Sequence, residues 1–207
     1  MGEEESRAVD RGITVETLME NAGRGVAEEI NRRFAPLEGK TVVVLAGNGN
    51  NGGDGMVAAR YLSALNVSCD VMLLCAPSGI KTEEARRNFE RLIGTRVRIH
   101  AASAMTELTQ FSRIVESAEI ILDAILGTGV KGPVRELQAE AIRMIDRSKG
   151  IVVALDLPSG LDPLTGEVSD VCVKADLTMT LHRAKVGLRG REEYTGELVV
   201  IPIGIDW

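Results

Sequence analysis

Residues 41–55 read TVVVLAGNGNNGGDG, and this stretch decides the fold class. The almost continuous β-branched run at Thr41–Ala46 is typical of a strand that is buried on both faces. The nine residues that follow contain five glycines and three asparagines, and residues 54–65 have a helical pattern. The segment therefore predicts a strand, a glycine-rich loop and a helix, in that order.

The same alternation continues on both sides of this unit. Helices are predicted at residues 14–34, 54–65, 81–93, 104–117 and 134–147, and strands at 41–46, 69–74, 96–100, 119–124, 151–155, 176–181 and 197–203. Thr17 and Glu20 resemble a capping box in the first helix. Alternation at this spacing predicts an α/β fold with a parallel sheet covered by helices on both faces. No linker divides the chain, so we expect one domain over residues 1–207.

The composition excludes several classes of function. Aromatic residues make up only 3% of the chain and the formal net charge is −6, so we expect no nucleic-acid partner. The apolar runs are far shorter than the ~20 residues of a membrane-spanning helix, and the chain opens without a secretory signal. Three scattered cysteines show no metal-ligand spacing, which indicates a reducing compartment, and the predicted location is cytoplasmic.

The first glycine-rich loop satisfies the pattern G-x-G-x-x-G through Gly47, Gly49 and Gly52. A dinucleotide-binding dehydrogenase also needs an acid at the end of the second strand, but Asp70 lies at the beginning of that strand. Asp54 is expected to cap the helix and to occupy the positive helix end that a pyrophosphate would use. These mismatches weaken a dehydrogenase interpretation. The asparagines instead suit a hard cation or a polar ligand, and the alternative is a tight turn.

A second loop, Gly127–Pro133, reads GTGVKGP and repeats the glycine pattern, now with Lys131. Exposed backbone N–H groups, a helix N-terminus and one ammonium make a phosphate site, and the alternative is a connector with a solvated lysine. Asp123 precedes this loop inside an apolar run. A buried carboxylate needs a partner, and a cation is a natural one.

A third loop, at residues 156–163, reads DLPSGLDP and follows another predicted strand. Ser159 has no histidine near it in sequence and no G-x-S-x-G pattern, so we interpret it as an oxygen ligand rather than a nucleophile. Ligands bind beyond the carboxyl ends of the strands in such sheets, and the three loops are expected to meet there. The loops supply Asn50, Asn51, Asp123, Asp156 and Ser159. These oxygen donors favour a hard cation over zinc or copper.

Several separated motifs resemble the YjeF N-terminal domain family, the NAD(P)H-hydrate epimerases. These motifs are LMENAG at 18–23, the loop at 49–55, DAILG at 123–127 with Lys131 and Gly132, DLPSG at 156–160 and the closing residues 196–205. The resemblance implies a Rossmann-like three-layer α/β/α sandwich with a mostly parallel central sheet. It also implies an isomerase of metabolite repair that interconverts the R and S forms of NADHX and NADPHX, the cofactors hydrated at C6.

The resemblance further implies a homodimer, one potassium ion per subunit and a partner dehydratase, either separate or fused. By resemblance, the ion falls on Asn51, Asp123 and Ser159. The hydrated cofactor falls on Asn50, Asn51, Gly52, Gly53, Asp54, Gly127, Thr128, Gly129, Val130, Lys131, Gly132, Pro133 and Asp156. Our hypothesis makes Asp156 the catalytic acid/base that protonates the C6 hydroxyl, so that water leaves and returns to the other face.

Two other functions remain as alternatives. Related domains act as dimerisation modules in scaffolds, and loss of the Asn/Asp/Ser set would favour that function. An NAD(P)-dependent oxidoreductase would need a ribose-binding acid after the second strand. The sequence has a short segment before residue 14 and ends without the dehydratase domain that often accompanies this family, so it predicts either a stand-alone epimerase or part of a fused enzyme.

Overall fold

The computed structural model describes residues 12–129, 132–168 and 170–205. Within these ranges, seven strands form one sheet in the order β3-β2-β1-β4-β5-β6-β7, and every neighbouring pair is parallel. The strands are β1 (Thr41–Ala46), β2 (Ser68–Leu73), β3 (Arg98–Ala101), β4 (Ile120–Ala124), β5 (Ile151–Leu155), β6 (Leu177–Leu181) and β7 (Glu197–Ile201). The α/β prediction is confirmed, and the sheet is parallel throughout these strands.

Seven α-helices accompany the strands in the described residues. They are α1 (Val15–Phe34), α2 (Asn50–Ser63), α3 (Glu83–Leu92), α4 (Met105–Gln110), α5 (Ser112–Glu116), α6 (Glu136–Arg147) and α7 (Glu192–Thr195). Two short 3₁₀ helices lie at Pro77–Gly79 and Val186–Leu188. The helix predicted at 104–117 is divided into α4 and α5, and α6 begins beyond Pro133 instead of including it in its first turn.

The first helix begins one turn earlier than a Thr17 capping box would require. Thr14 is the residue before the helix, and its hydroxyl accepts a hydrogen bond from Thr17 N at 3.1 Å. The capping-box prediction is therefore wrong, because Thr14 already satisfies the orphan N–H at this end.

Alternate residues of β1 enter two different hydrophobic clusters. Val42 and Val44 pack in the cluster that α1, α2 and α3 cover, whereas Val43 and Leu45 pack in the cluster that α4, α5 and α6 cover. Successive side chains of a strand point to opposite faces, so a strand in the middle layer must be apolar at every position. The aliphatic core that follows from the low aromatic content is thus split into the two interfaces of a three-layer sandwich.

The sheet order places the three glycine-rich or turn-forming loops side by side. β1, β4 and β5 are adjacent, and their carboxyl ends lead into residues 47, 125 and 156. The chain runs outward in one direction from β1 to β3 and in the other from β4 to β7, so the boundary between β1 and β4 is a topological switch point. This is the edge at which the sequence predicts a ligand site.

Groups away from this edge have structural partners. Asp70 lies 2.8 Å from Nε of Arg98 and 2.8 Å from Nε2 of His100, so it is not available to a ribose.

Burial raises the pKa of the Cys69 thiol to about 12, and burial also raises the pKa of Cys172. Among the described residues, no helix is both long enough and apolar enough to cross a membrane.

Candidate functional site

A cavity of about 300 Å³ opens at the switch point. Its walls come from the start of α1, from the first loop with Asn48–Asn51, from the second loop with residues 125–129, and from Asp156. Lys81 also lines it, although no motif in the sequence singled this lysine out. Residues distant in sequence meet here because the carboxyl ends of adjacent parallel strands share one edge.

Two glycines allow close backbone contacts: Gly47 touches the second loop, and Gly52 touches Gly47 within the first loop. A Cβ atom on Gly47 would lie 1.9 Å from Ile125 O, and one on Gly52 would lie 2.0 Å from Gly47 O. Real side chains cannot approach backbone this closely, so glycine is required at both positions. Gly47 and Gly52 of the G-x-G-x-x-G pattern therefore serve close backbone packing, between the two loops at Gly47 and within the first loop at Gly52.

The helix after the first loop begins at Asn50, four residues before the predicted start. Gly49 precedes the helix and provides no side-chain cap, while Asp54 lies in the second turn and is buried. The prediction that Asp54 caps this helix is wrong, and its carboxylate does not occupy the first turn. Asn50 and Asn51, in the first turn, instead line the cavity, and a helix N-terminus favours an anionic group.

Asp123 and Ser159 form a closed pair beneath the cavity, and both are 0% exposed. The Ser159 hydroxyl donates to Asp123 Oδ1 at 2.6 Å, and Ser159 N donates to Oδ2 at 2.8 Å. Burial raises the pKa of Asp123 to about 6, although hydrogen bonds from Ser159 and Ile125 act in the opposite direction. A carboxylate this deeply buried is stabilised in its charged form by a neighbouring cation.

Leu126 connects this pair to the first loop. Leu126 N donates to the Ser159 hydroxyl at 2.9 Å, and Nδ2 of Asn51 donates to Leu126 O at 3.0 Å. The Asn51 amide group, the Leu126 carbonyl, the Ser159 hydroxyl and the Asp123 carboxylate are thus linked by hydrogen bonds, and oxygen donors of these kinds fit a hard cation. No group of three or more His, Cys, Asp and Glu side chains suited to a metal occurs in the described ranges.

Asp156 occupies the third loop in an unusual backbone conformation. Its φ is +71°, in the left-handed region that asparagine and aspartate tolerate better than most residues. Its Oδ1 accepts hydrogen bonds from Leu181 N at 3.0 Å and from Nζ of Lys185. The sequence analysis missed Lys185; the available signal was its position just beyond β6, at the same edge of the sheet.

The described residues among the predicted cofactor-binding set divide among three places. Asn50, Asn51, Asp54, Gly127, Thr128, Gly129 and Asp156 line the 300 Å³ cavity, whereas Gly52 and Gly53 are buried behind it. Gly132 and Pro133 line a second cavity of about 710 Å³, which shares Leu126 and Gly127 with the first. The predictions for Val130 and Lys131 lie outside the described residues.

A parallel sheet with a cavity at its switch point defines a Rossmann-like α/β domain, and ligands of such domains bind at this edge. The family model for YjeF-related protein N-terminus matches residues 15–187, and the chain belongs to this family. The resemblance drawn from the motifs is therefore confirmed.

Individual relatives agree with this membership. The chain is 38% identical to the NAD(P)H-hydrate epimerase of Nitrosopumilus maritimus over 97% of its own length and 91% of that protein. It is 46% identical to the bifunctional NAD(P)H-hydrate repair enzyme of Pyrobaculum aerophilum, of which it spans 38%. The crystal structure of the yeast protein Ynu0 superposes with a TM-score of 0.78 at 28% identity, covering 89% of this chain and 78% of the yeast chain.

Proposed function

We infer that the protein is an isomerase that epimerises hydrated nicotinamide cofactors at C6, interconverting R- and S-NADHX and R- and S-NADPHX in cofactor repair. The observation that carries this conclusion is the nearly full-length match to a protein named NAD(P)H-hydrate epimerase, at 38% identity. The oxygen-rich side chains at the switch point argue against a purely scaffolding module. An oxidoreductase is not favoured, because Asp70 is held by Arg98 and cannot serve a ribose.

The reaction requires one proton to move to and from a hydroxyl group. When the C6 hydroxyl is protonated, the C6–O bond breaks, water leaves, and the lone pair of the ring nitrogen forms a C=N⁺ bond. Addition of water to the opposite face, followed by loss of one proton, restores the neutral hydrate with C6 inverted. A single positioned carboxyl group can donate the proton and then recover it.

We assign this acid/base role to Asp156. The residue is 8% exposed and lies on the wall of the cavity. Its Oδ1 has two partners, whereas its Oδ2 has no hydrogen-bond partner within the described part of the chain. One carboxylate oxygen therefore anchors the side chain and the other remains for the substrate.

The remaining cofactor-binding assignments follow the shape of the site. The cavity of about 300 Å³ suits the hydrated nicotinamide end of the substrate rather than a whole dinucleotide. We propose that the phosphates lie against the N-terminus of α2 at Asn50–Asp54 and along the second loop at Gly127–Pro133, with Lys131 contacting one of them. Both regions offer backbone N–H groups that suit anionic oxygens.

Asn51, Asp123 and Ser159 would hold one potassium ion in each subunit. The proposal rests on the buried Asp123 carboxylate and on the amide, hydroxyl and carbonyl oxygens near it. A bound potassium ion supplies positive charge and a fixed coordination shell. The protein's own contribution is to join the three loops through Leu126, so that the wall of the cavity is set before substrate arrives.

The remaining proposals concern partners and location. The fused relatives are named bifunctional repair enzymes, which supports an NAD(P)H-hydrate dehydratase as the functional partner, separate or fused. We further propose a homodimer in the cytoplasm, with residues 1–207 forming a single domain.

The direct test is an epimerisation assay. Purified protein is mixed with R-NADHX, and the appearance of S-NADHX is followed by chromatography, with R-NADPHX measured in parallel. We expect clear acceleration over the spontaneous rate for at least one of the two substrates. A rate equal to the spontaneous rate for both would refute the assignment.

A further inference from the structure

Lys185 contacts Asp156 and is not among the described residues that line the cavity. Its Nζ donates to Asp156 Oδ1, to Thr180 Oγ1 at 3.2 Å and to Leu181 O at 3.1 Å. An ammonium group carries three donors and no acceptor, so these three acceptors satisfy every N–H of its charged form. The side-chain amine is therefore held in one position beside the carboxylate.

The contacts of Asp156 are strongly asymmetric. Lys185 Nζ and Leu181 N both bind Oδ1, and the described residues offer no hydrogen bond to Oδ2. The backbone is fixed as well, because Asp156 N donates to Met179 O at 2.9 Å while φ is +71°. A carboxylate anchored through one oxygen presents the other oxygen in a defined direction.

This arrangement rests on the proposed function and extends it. We propose that Lys185 is a positioning residue for epimerisation, which fixes Asp156 through Oδ1 and leaves Oδ2 as the atom that exchanges a proton with the C6 hydroxyl. Lys185 does not line the cavity in the described part of the structure, so it acts through Asp156 and does not contact the substrate. The proton leaves Oδ2, protonates the departing hydroxyl and returns to Oδ2 after water adds.

The first test replaces the ammonium without changing the length of the side chain greatly. Lys185→Met is expected to lower kcat by about 100-fold, the usual scale of a lost acid/base contribution, while KM changes by less than about threefold. Lys149→Met is the matched control, because Lys149 is exposed and lies apart from the cavity. An unchanged kcat in Lys185→Met, or a loss confined to KM, would overturn the proposal.

A double-mutant cycle separates positioning from general structural support. If Lys185 acts through Asp156, then Lys185→Met should cost less than about threefold in kcat when it is added to Asp156→Asn. A lysine that only supported the fold would lower kcat by the same factor in both backgrounds. Equal factors in the two backgrounds would therefore contradict the proposal.

Chemical rescue tests the charge itself. Lys185→Cys is combined with Cys75→Ser, because Cys75 is partly exposed and would also react. Alkylation of the new cysteine with bromoethylamine then restores an amine of nearly the original length. Iodoacetamide supplies a neutral adduct as the control. We expect only the aminoethyl adduct to recover activity, and equal recovery with the neutral adduct would overturn the proposal.

Folding of each variant is checked by circular dichroism and thermal unfolding. If the Met and Cys variants do not fold, Lys185→Arg tests the proposal in their place. It keeps the positive charge and should retain at least about a tenth of the wild-type kcat. An Arg variant as inactive as Asp156→Asn would contradict the role of the charge. If the wild-type protein does not accelerate epimerisation, the proposed function fails together with the Lys185 proposal. If the wild-type protein is active and Lys185→Met has the same kcat, only the Lys185 proposal fails.

Discussion

Ser159 donates two hydrogen bonds to Asp123, one from its backbone N–H at 2.8 Å and one from its hydroxyl at 2.6 Å. The same hydroxyl accepts from Leu126 N at 2.9 Å, so one side chain joins the ends of β4 and β5. Removing the Ser159 hydroxyl leaves the half-buried N–H of Leu126 without this acceptor and takes a donor from a buried carboxylate.

Ser159→Ala should therefore lower the free energy of unfolding by about 1–3 kcal/mol, as urea denaturation would measure. Ser63→Ala is the matched control, because Ser63 is also buried but its hydroxyl donates only to Arg60 O within a helix. Equal decreases in the free energy of unfolding of the two variants would show that the Ser159 network stabilises the protein no more than one ordinary buried hydroxyl.

Two glycines of the first loop are expected to differ in how much their substitution by alanine destabilises the protein. A Cβ on Gly52 would lie 2.0 Å from Gly47 O, whereas one on Gly49 would meet nothing within 4 Å. Gly52→Ala should destabilise the protein by about 1–3 kcal/mol or more, even though alanine favours a helix. Gly49→Ala should stay within about 1 kcal/mol of wild type, since only the residue before the helix changes. Thermal unfolding of both variants measures the difference, and a stable Gly52→Ala protein would contradict the close backbone packing within the first loop.

Asp156→Asn should lower kcat for epimerisation by about 10²–10⁴-fold and leave substrate binding nearly unchanged. Asparagine tolerates the left-handed backbone at this position, and its amide oxygen can still accept from Leu181 N. Chromatography of R- and S-NADHX gives the rate, and ligand-induced thermal shifts give binding. Asp170→Asn, at an exposed position, serves as the control. Near-normal interconversion by Asp156→Asn would remove this residue from the acid/base role.

Replacing potassium with choline at constant ionic strength should lower the unfolding temperature. An ion that binds only the folded state at 100 times its Kd adds about 2.7 kcal/mol to stability, and the effect grows with concentration. Asn51→Ala should reduce this dependence, because it removes one of the proposed oxygen donors. Identical unfolding curves in potassium and choline would argue against the proposed ion.

The strand–helix alternation was predictable because each β strand is a short apolar run with turn residues at its ends. The start of α2 was not predictable, because the first four residues of this helix have low helix propensity: Asn50, Asn51, Gly52 and Gly53. Tertiary contact overrides that preference: a Cβ on Gly53 would lie 2.7 Å from Met19 Sδ, so α1 packs directly on this turn. Asp54 was misplaced for the same reason.

The oxygen-bearing residues of the site could be found from sequence because each follows or ends a buried strand. The hydrogen bond between Lys185 and Asp156 could not be predicted from the sequence, since the two residues are 29 positions apart. No local pattern marks a lysine in an irregular connection as the partner of a carboxylate. That relationship arises only when β5 and β6 pair and bring Asp156 beside Leu181.

The contact of Gly47 with Ile125 makes the floor of the cavity a rigid unit, because neither loop can shift without displacing the backbone of the other. The rim differs, since a Cβ at Gly129 would meet no described residue within 4 Å and its backbone needs no positive φ. Adaptation to differently sized or charged ligands can therefore occur at Gly129 without disturbing the floor. For protein engineering, residue 129 is the place at which a new side chain could alter ligand selectivity while the chemistry beneath it stays intact.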